Sequence, residues 1–321
     1  MIVILIPTFN DWESAGLLLR SLDEVARDNS IDAQVLFLDD GSTDAVPANL
    51  ARDCQSLRGV SILHLRRNLG HQRAIATGLV YVYQNLRCDA VVVMDGDGED
   101  RPRDIPVLLA ALASNENRSI VFAARGKRLE HWSFRALYRL YRWLHLLLTG
   151  DHVRVGNFSV VPFASLAQIV VIPEIWNHYA AAVIRSRLRF TTVPLARGER
   201  LAGQSKMNFV GLLLHGLSAF FVYGEIVGAR LLVAIAVALT LEIALVALGV
   251  AVNLTTHFSV LALFLYVALA LGLLLLQAIP VALILVFTVI GSRVNVGFLP
   301  IRDCPYFVRD VEELVPPAAK L

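Results

Sequence analysis

Four acidic residues within six positions form the part of this sequence best suited to chemistry. Residues 91–94 read Val-Val-Val-Met and predict a buried strand, which runs directly into Asp95-Gly96-Asp97-Gly98-Glu99-Asp100. Carboxylates two residues apart at a strand end can converge on one hard divalent cation, and the glycines let phosphates approach the backbone. A metal ion held there would neutralise a diphosphate. The alternative is a plain polar loop after a strand.

The acidic loop is one of several loops that follow predicted strands. Hydrophobic spacing predicts strands at 2–6, 34–38, 60–65, 90–94 and 119–124, and helices at 14–27, 46–57, 71–84 and 104–115. This alternation predicts a Rossmann-like α/β fold, in which a mainly parallel sheet has helices on both faces. Ligands of such sheets bind beyond the carboxyl ends of the strands, where the acidic residues of 39–44 are also expected.

The apolar residues are concentrated in the last third of the chain. The sequence of 321 residues is 56% hydrophobic and has a mean hydropathy of +0.60, which is too apolar for one ordinary soluble domain. Residues 231–292 contain a single charged residue, Glu242. We therefore expect a soluble domain at 1–206 and a membrane region at 230–292 in contact with the lipid bilayer.

Two membrane crossings are predicted, at about 231–252 and 258–281, with Pro280 marking a kink or the end of the second span. Arginines flank the outer ends of this pair, whereas the link at 253–257 has no lysine or arginine. The positive-inside rule then places the catalytic domain, both termini and a tail at 293–321 on the cytoplasmic side of the cytoplasmic membrane. The apolar spacing of 207–229 predicts an amphipathic helix in the membrane interface, or a helix packed on the soluble domain.

Charge and cysteine content exclude some other classes of protein. The net charge is only +2, so nothing in the composition indicates nucleic-acid binding. The three cysteines, Cys54, Cys88 and Cys304, have no metal-binding spacing and fit a reducing compartment.

Four short motifs, in order, resemble those of family 2 inverting glycosyltransferases. They are Pro7-Thr8-Phe9-Asn10-Asp11, Asp39-Asp40-Gly41-Ser42-Thr43-Asp44, Arg67-Asn68-Leu69-Gly70 and Asp95-Gly96-Asp97. More narrowly, the chain resembles the polyprenyl-phosphate sugar transferases related to dolichol-phosphate mannose synthase. The resemblance implies a sheet of the glycosyltransferase A type and inverting transfer of a sugar, from a nucleotide-sugar that we expect to be UDP-linked, to a polyprenyl phosphate. Related enzymes often form homo-oligomers.

The resemblance also implies a nucleotide-sugar site. Its expected residues are Pro7, Phe9, Asp11, Asp39, Asp40, Asn68, Gly70 and Asp95. Asp97 is expected to be the principal ligand of Mg²⁺ or Mn²⁺, with Asp95 and Glu99 assisting, and carboxylate oxygens suit these ions. Phe9 could stack on the nucleobase or belong to the core.

Basic residues are expected to bind the acceptor and the departing phosphate. By resemblance, Arg125 and Arg135 bind the lipid phosphate, since guanidinium groups hold phosphate through paired hydrogen bonds. Arg200, Ser205 and Lys206 lie in an R-x-x-G-x-S-K segment that is expected to close on the donor diphosphate or the lipid phosphate. We expect Asp97, Arg125, Arg135 and Arg200 to form the catalytic set; a plain juxtamembrane basic cluster is the alternative for the last segment.

Asn157 departs from the family pattern, because related enzymes usually have an aspartate at this place. An asparagine cannot take up a proton at neutral pH, whereas a phosphate acceptor is already ionised and needs no base. Asn157 therefore favours a phosphate acceptor or indicates an altered enzyme. Two alternatives stay open, namely transfer to a lipid or polysaccharide hydroxyl and a degenerate, non-catalytic membrane scaffold.

Overall fold

The computed structural model describes residues 1–125, 143–150, 155–203, 217–218, 221–255, 261–294 and 297–316. The chain divides into two compact units. The first comprises Met1–His131, Val153–Val222 and Phe298–Leu321, and the second comprises Trp132–His152 and Tyr223–Gly297.

Within the described residues, eight strands of the first unit form one mixed sheet. They are β1 (Ile2–Thr8), β2 (Ala33–Asp39), β3 (Gly59–Leu65), β4 (Ala90–Val93), β5 (Ile120–Arg125), β6 (Ser159–Pro162), β7 (Phe190–Leu195) and β8 (Val308–Val315). Their order is β7-β5-β6-β4-β1-β2-β3-β8. Only β6 and β8 run antiparallel to their neighbours among these strands, so the predicted mainly parallel sheet is confirmed.

Helices cover both faces of this sheet, as the alternating pattern predicted. They are α1 (Trp12–Asp28), α2 (His71–Asn85), α3 (Ile105–Ser114), α4 (Phe163–Ile169) and α5 (Tyr179–Arg185). Helices α1 and α3 pack on one face and α2, α4 and α5 on the other. Central strand β1 is buried throughout, with Ile4 facing the first layer and Leu5 the second, because successive side chains of a strand point to opposite faces.

Two local predictions differ from the structure. Residues 48–53 form turns, and no part of 46–57 is helical. The Asp23 carboxylate accepts hydrogen bonds from the backbone N–H groups of Gln55, Ser56 and Leu57, which diverts these groups from a helical ladder. Strand β1 also continues through Pro7 to Thr8, because β4 pairs with β1 only as far as Leu5.

Part of the predicted tail at 293–321 forms regular structure. Helix α8 (Pro300–Asp303) and a 3₁₀ turn (Cys304–Phe307) lead into β8, which pairs with β3 as an edge strand. Before α8 in the chain come two long apolar helices, which are α6 (Gly224–Thr255) and α7 (Leu261–Val294). The tail therefore completes the sheet of the first unit after the chain has passed through both apolar helices.

Both apolar helices are long and apolar enough to cross a membrane, over Gly224–Thr255 and Ala262–Thr288. Helix α7 continues through Pro280 to Val294, so helical structure follows the span predicted to end near residue 281. Glu242 of α6 faces α7 at Gly272, where an added Cβ would lie 2.8 Å from the Glu242 Oε1 atom. Of the predicted interfacial helix at 207–229, residues 224–229 belong to α6 and residues 207–216 lie outside the described part of the chain.

Candidate active site

Five chain segments meet at the carboxyl edge of the sheet. Four of them follow β1, β2, β3 and β4, and the fifth follows β7, which runs parallel to β5. This edge brings together acids that are distant in sequence, since the carboxyl ends of parallel strands lie at one edge. The Arg200 guanidinium, for example, lies 2.5 Å from Asp11 Oδ2 and 3.2 Å from Asp97 Oδ2.

Asn10 joins the first two loops of this edge. Its backbone has a positive φ of 49°, and its side-chain oxygen accepts hydrogen bonds from the N–H groups of Thr43 and Asp44 at 2.8 and 3.0 Å. Asparagine tolerates this left-handed conformation better than most residues. The neighbouring Phe9 side chain is 38% exposed, so it belongs to the surface of the site and not to the core.

Asp40 holds the third loop in place. Its two carboxylate oxygens accept hydrogen bonds from the backbone N–H groups of Leu69 and Gly70 at 2.6 and 2.8 Å. Burial raises the pKa of the Asp40 carboxyl, and these two hydrogen bonds oppose that rise. A Cβ on Gly41, whose φ is +71°, would lie 2.7 Å from the Asn68 nitrogen. Asp40 and Gly41 therefore shape the loop that contains Asn68 and Gly70.

Asp39 is fixed from two directions. Its Oδ1 atom accepts a hydrogen bond from the Ser42 N–H at 2.9 Å, and its Oδ2 atom lies 2.7 Å from His64 Nδ1. The other ring nitrogen of His64 lies 3.2 Å from Glu312 Oε2 on β8. Neither His64 nor Glu312 was identified from the sequence, because His64 reads as part of a strand and Glu312 as part of a polar tail.

The acidic loop after β4 is held by its own side chains. Asp100 Oδ2 accepts a hydrogen bond from the Asp95 N–H at 2.9 Å, and Asp97 Oδ1 accepts one from the Glu99 N–H at 3.0 Å. Gly98 has a φ of +84°, and a Cβ there would overlap Leu201. This glycine is therefore required both for the backbone conformation and for the close approach of a second segment.

Residues 197–203, called here the covering segment, lie against the acidic loop. The N–H of Gly198 donates to the Glu99 carbonyl at 2.8 Å, and the N–H of Leu201 donates to the Asp97 carbonyl at 2.9 Å. A Cβ on Gly198 would lie 2.7 Å from the Gly98 carbonyl oxygen. The covering segment thus follows the acidic loop at backbone distance, and its arginine side chains reach the acids.

Each of the three expected metal ligands faces a basic side chain. Asp95 Oδ1 lies 3.1 Å from His71 Nε2, Asp97 pairs with Arg200, and Glu99 pairs with Arg197. In the described part of the chain, no three His, Cys, Asp or Glu side chains gather closely enough to hold a metal ion. A joint site of Asp95, Asp97 and Glu99 is therefore not formed here. The donor set nevertheless fits Mg²⁺ or Mn²⁺, since such ions often use one or two carboxylates together with substrate phosphates.

Asn157 belongs to a buried polar network behind Asp95. Its amide nitrogen lies 3.4 Å from Asp95 Oδ1 and 3.0 Å from His71 Nε2, and its Oδ1 atom accepts a hydrogen bond from Gln72 at 3.2 Å. Gln72 in turn accepts a hydrogen bond from the Tyr179 N–H at 2.7 Å. Asn157 is 8% exposed, so it supports Asp95 from behind.

His71 was not identified from the sequence, although it directly follows the Arg67-Asn68-Leu69-Gly70 motif at the start of α2. Partial burial lowers the pKa of His71, but the hydrogen bond and charge of Asp95, with the charges of Asp40 and Asp97, outweigh this effect and the pKa is raised overall. The sequence did offer one signal for His71, namely a titratable residue at the start of a predicted helix, next to the carboxyl edge of the sheet.

Three of the expected acceptor-binding residues, Arg135, Ser205 and Lys206, lie outside the described residues. Arg125 is the last residue of β5, level with Leu195 of β7, and lies at the carboxyl edge of the sheet. Pro7 is buried at the end of β1, close to Gly96, where an added Cβ would lie 3.2 Å from the Pro7 carbonyl oxygen.

The family model for "Glycosyl transferase family 2" matches residues 3–168, which is more than half of the chain. The chain therefore belongs to glycosyl transferase family 2, and it is a glycosyltransferase. The fold is of the glycosyltransferase A type, followed by two apolar helices that are candidate membrane spans.

Two relatives each match about two thirds of the chain. It is 29% identical over 237 residues to an uncharacterized glycosyltransferase, YkoT, of Bacillus subtilis (strain 168), covering 69% of this chain and 68% of that protein. It is 27% identical over 223 residues to an undecaprenyl-phosphate 4-deoxy-4-formamido-L-arabinose transferase of Enterobacter sp. (strain 638). This match covers 65% of this chain and 63% of that protein. The resemblance to family 2 and its polyprenyl-phosphate transferases is thereby confirmed.

Solved structures support the fold assignment. Glucosyl-3-phosphoglycerate synthase from Mycobacterium tuberculosis, in complex with Mn²⁺, UDP-glucose and phosphoglyceric acid, has a TM-score of 0.51 and 17% identity, covering 71% of this chain and 80% of that one. Mannosyl-3-phosphoglycerate synthase from Rubrobacter xylanophilus has a TM-score of 0.50 and 17% identity, and the match covers 69% of this chain and 72% of that one. At this identity the likeness concerns the fold alone.

Proposed function

We propose that this glycosyltransferase moves a sugar from a nucleotide-sugar, which we expect to be UDP-linked, to a polyprenyl phosphate at the cytoplasmic face of a membrane, with inversion at the anomeric carbon. The observation that carries the choice of acceptor is the environment of Asn157. A relative at 27% identity is named as an undecaprenyl-phosphate sugar transferase, and this name supports the same acceptor class.

A hydroxyl acceptor needs a base to remove its proton, and such a base contributes about 10²- to 10⁴-fold in rate. At the place where related enzymes usually have an aspartate, this chain has a neutral amide whose oxygen and nitrogen both contact protein groups. A phosphate acceptor is already ionised, so its oxygen can attack the anomeric carbon directly. The bond from that carbon to the diphosphate breaks, and its electron pair leaves with the nucleoside diphosphate.

The carboxyl edge of the sheet supports donor binding. Asp97, together with Asp95 or Glu99, would hold Mg²⁺ or Mn²⁺, which would neutralise the donor diphosphate. A solved structure of similar fold contains Mn²⁺ and UDP-glucose, which fits a metal-dependent donor site in this chain. Arg200 would exchange its contacts with Asp11 and Asp97 for the phosphates of the donor.

The position of β8 supports a membrane hairpin. The sheet contains residues from before α6 and from after α7. If both helices cross the membrane, the chain returns to its starting side, as two crossings require. Arginines at the outer ends of the pair then favour the cytoplasmic side for both the sheet and the tail.

The test uses the full chain in detergent with Mn²⁺, radiolabelled UDP- and GDP-sugars, and either undecaprenyl phosphate or undecaprenol as acceptor. These acceptors share one hydrocarbon tail and differ in the phosphate. We expect labelled, acid-labile lipid from undecaprenyl phosphate alone. Labelled product from undecaprenol would instead establish a hydroxyl acceptor, and donor binding without any lipid product would contradict the polyprenyl assignment.

A substitution of Asp97 tests the expected role of this carboxylate as a metal ligand. The Asp97→Ala variant should lose transfer while keeping its thermal unfolding temperature, and retained turnover would contradict the metal assignment. The exposed Asp28, which pairs with Arg27 far from this edge, gives the matched control Asp28→Ala.

A further inference from the structure

We propose that the carboxyl-terminal tail takes part in donor recognition, because Glu312 positions the nucleotide-binding carboxylate of Asp39 through His64. This inference rests on the proposed function and on the expectation that Asp39 belongs to the nucleotide-sugar site. The three side chains form a continuous line, with 2.7 Å between Asp39 Oδ2 and His64 Nδ1, and 3.2 Å between His64 Nε2 and Glu312 Oε2.

Asp39 and His64 are buried, whereas the carboxylate of Glu312 is exposed. The side chains of Asp39 and His64 are 7% and 8% exposed, whereas Glu312 is 51% exposed. A buried carboxylate is costly unless its oxygens have hydrogen-bond partners. Asp39 has two, namely the Ser42 N–H and the His64 ring. Each carboxylate oxygen has a second lone pair, so Asp39 can still accept a hydrogen bond from a ligand.

His64 can orient Asp39 only if its own ring is held. An imidazole contacted at one nitrogen can still turn about the bond to its Cβ, and a second contact at the other nitrogen restricts that rotation. Glu312 provides that second contact. The His64 ring then meets Asp39 Oδ2 from a fixed direction, which restrains the orientation of the Asp39 carboxylate before a nucleotide binds.

The register of the edge strand explains why Glu312 can reach His64. Strand β8 runs antiparallel to β3, with Asp310 opposite His64 and Glu312 opposite Ile62. Residues two apart on a strand share one face, so His64 and Glu312 both point to the face covered by α1 and α3. Glu313, the next residue, points to the opposite face, near Tyr81 of α2. It is therefore a matched control on the same strand.

This arrangement gives the tail a chemical role beyond completing the sheet. A fixed carboxylate acceptor recognises a ligand N–H or O–H, such as the ring N–H of uracil or a ribose hydroxyl. Removing Glu312 leaves the sheet hydrogen bonds of β8 intact and changes only the restraint on His64. We therefore expect the nucleotide part of the donor to bind more weakly, while the chemical step is unaffected once the donor is saturating.

The experiment measures UDP binding by calorimetry, and KM and kcat for the donor, in full-length wild-type, Glu312→Leu, Glu312→Gln and Glu313→Leu proteins. We expect Glu312→Leu to raise the Kd for UDP and the donor KM about threefold to tenfold with kcat nearly unchanged. Glu312→Gln keeps a side-chain oxygen near His64 and should lie between wild type and Glu312→Leu. Glu313→Leu should behave as wild type.

Thermal unfolding of the same proteins separates positioning from folding. Because Glu312 is half exposed, its variants should unfold within about 2 °C of Glu313→Leu. Equal UDP affinity in Glu312→Leu and Glu313→Leu would overturn the inference, as would a loss of affinity that merely follows a loss of stability. Wild-type protein that binds no nucleoside diphosphate would overturn the proposed function itself, which is a distinguishable result.

Discussion

The guanidinium of Arg200 lies 3.2 Å from the carboxylate of Asp97, although 103 residues separate them in the chain. This contact joins the covering segment to the acidic loop, and backbone hydrogen bonds from Gly198 and Leu201 run beside it. A carboxylate that is expected to bind a metal ion thus also pairs with an arginine. If Asp97 binds a metal ion together with the donor, it must exchange the arginine for that ion.

Replacing Arg200 tests this exchange. We expect Arg200→Ala to lower kcat/KM for the donor by about 100-fold, because a charge that meets the departing diphosphate is lost. Arg200→Lys should recover only part of the rate, since lysine cannot bridge Asp11 and Asp97 in the same planar geometry. Steady-state transfer assays measure both. Arg58→Ala is the control, because Arg58 pairs with Asp32 at the opposite edge of the sheet, and it should leave kcat/KM within about twofold.

Metal removal should abolish transfer. Excess EDTA withdraws the divalent ion, and the donor diphosphate then meets the carboxylates of the acidic loop without a neutralising charge. Added Mn²⁺ or Mg²⁺ should restore the rate in wild type but not in Asp97→Asn. Full activity in EDTA would show that Arg197 and Arg200 supply the positive charge on their own.

Asp40 is expected to act on stability more than on chemistry. Asp40→Asn replaces one accepting oxygen by an NH₂ group that faces the N–H of Leu69 or Gly70. We expect a loss of about 1–3 kcal/mol in the free energy of unfolding, because a buried donor is left without an acceptor. Thermal unfolding in detergent gives this value. Unchanged stability would mean that the loop after β3 is not held by Asp40.

Two glycine substitutions should change stability in opposite directions. Gly41→Ala places a Cβ 2.7 Å from the Asn68 nitrogen at a φ of +71°, and we expect a loss of about 1–3 kcal/mol. Gly16 lies inside α1, where a Cβ would make ordinary contact with Leu50 at 3.5 Å. Gly16→Ala should therefore stabilise the protein by about 0.5–1 kcal/mol. The unfolding temperature of Gly41→Ala should therefore lie below the wild-type value, and that of Gly16→Ala above it.

The sequence was sufficient to predict β1 to β5 and the mainly parallel direction of the sheet, because buried strands and amphipathic helices have different hydrophobic periods. It did not predict β6, β7 or β8. It was insufficient where a distant side chain decides local structure. Residues 46–57 have helical spacing, but the Asp23 carboxylate binds three of their N–H groups. Strand β8 was missed because a charged edge strand resembles a polar tail until its partner β3 is known.

The acids of the site were also predictable, whereas their partners were not. Asp11, Asp39 and Asp97 follow strands, so their shared edge could be inferred from the alternation of elements. The pairing of Asp95 with His71, and of Asp39 with His64, depends on which side chains the packed helices and strands bring within 3.1 Å. Local sequence contains no signal for such long-range pairs.

The edge strand β8 also has a consequence for biosynthesis. A ribosome makes β1 to β7 first, then the two apolar helices, and only then residues 308–315. Until β8 arrives, β3 presents unpaired N–H and C=O groups to any other nascent chain nearby. Chains that terminate after α7 should consequently aggregate through β3, even though the two apolar helices and the residues of the expected site have already been made.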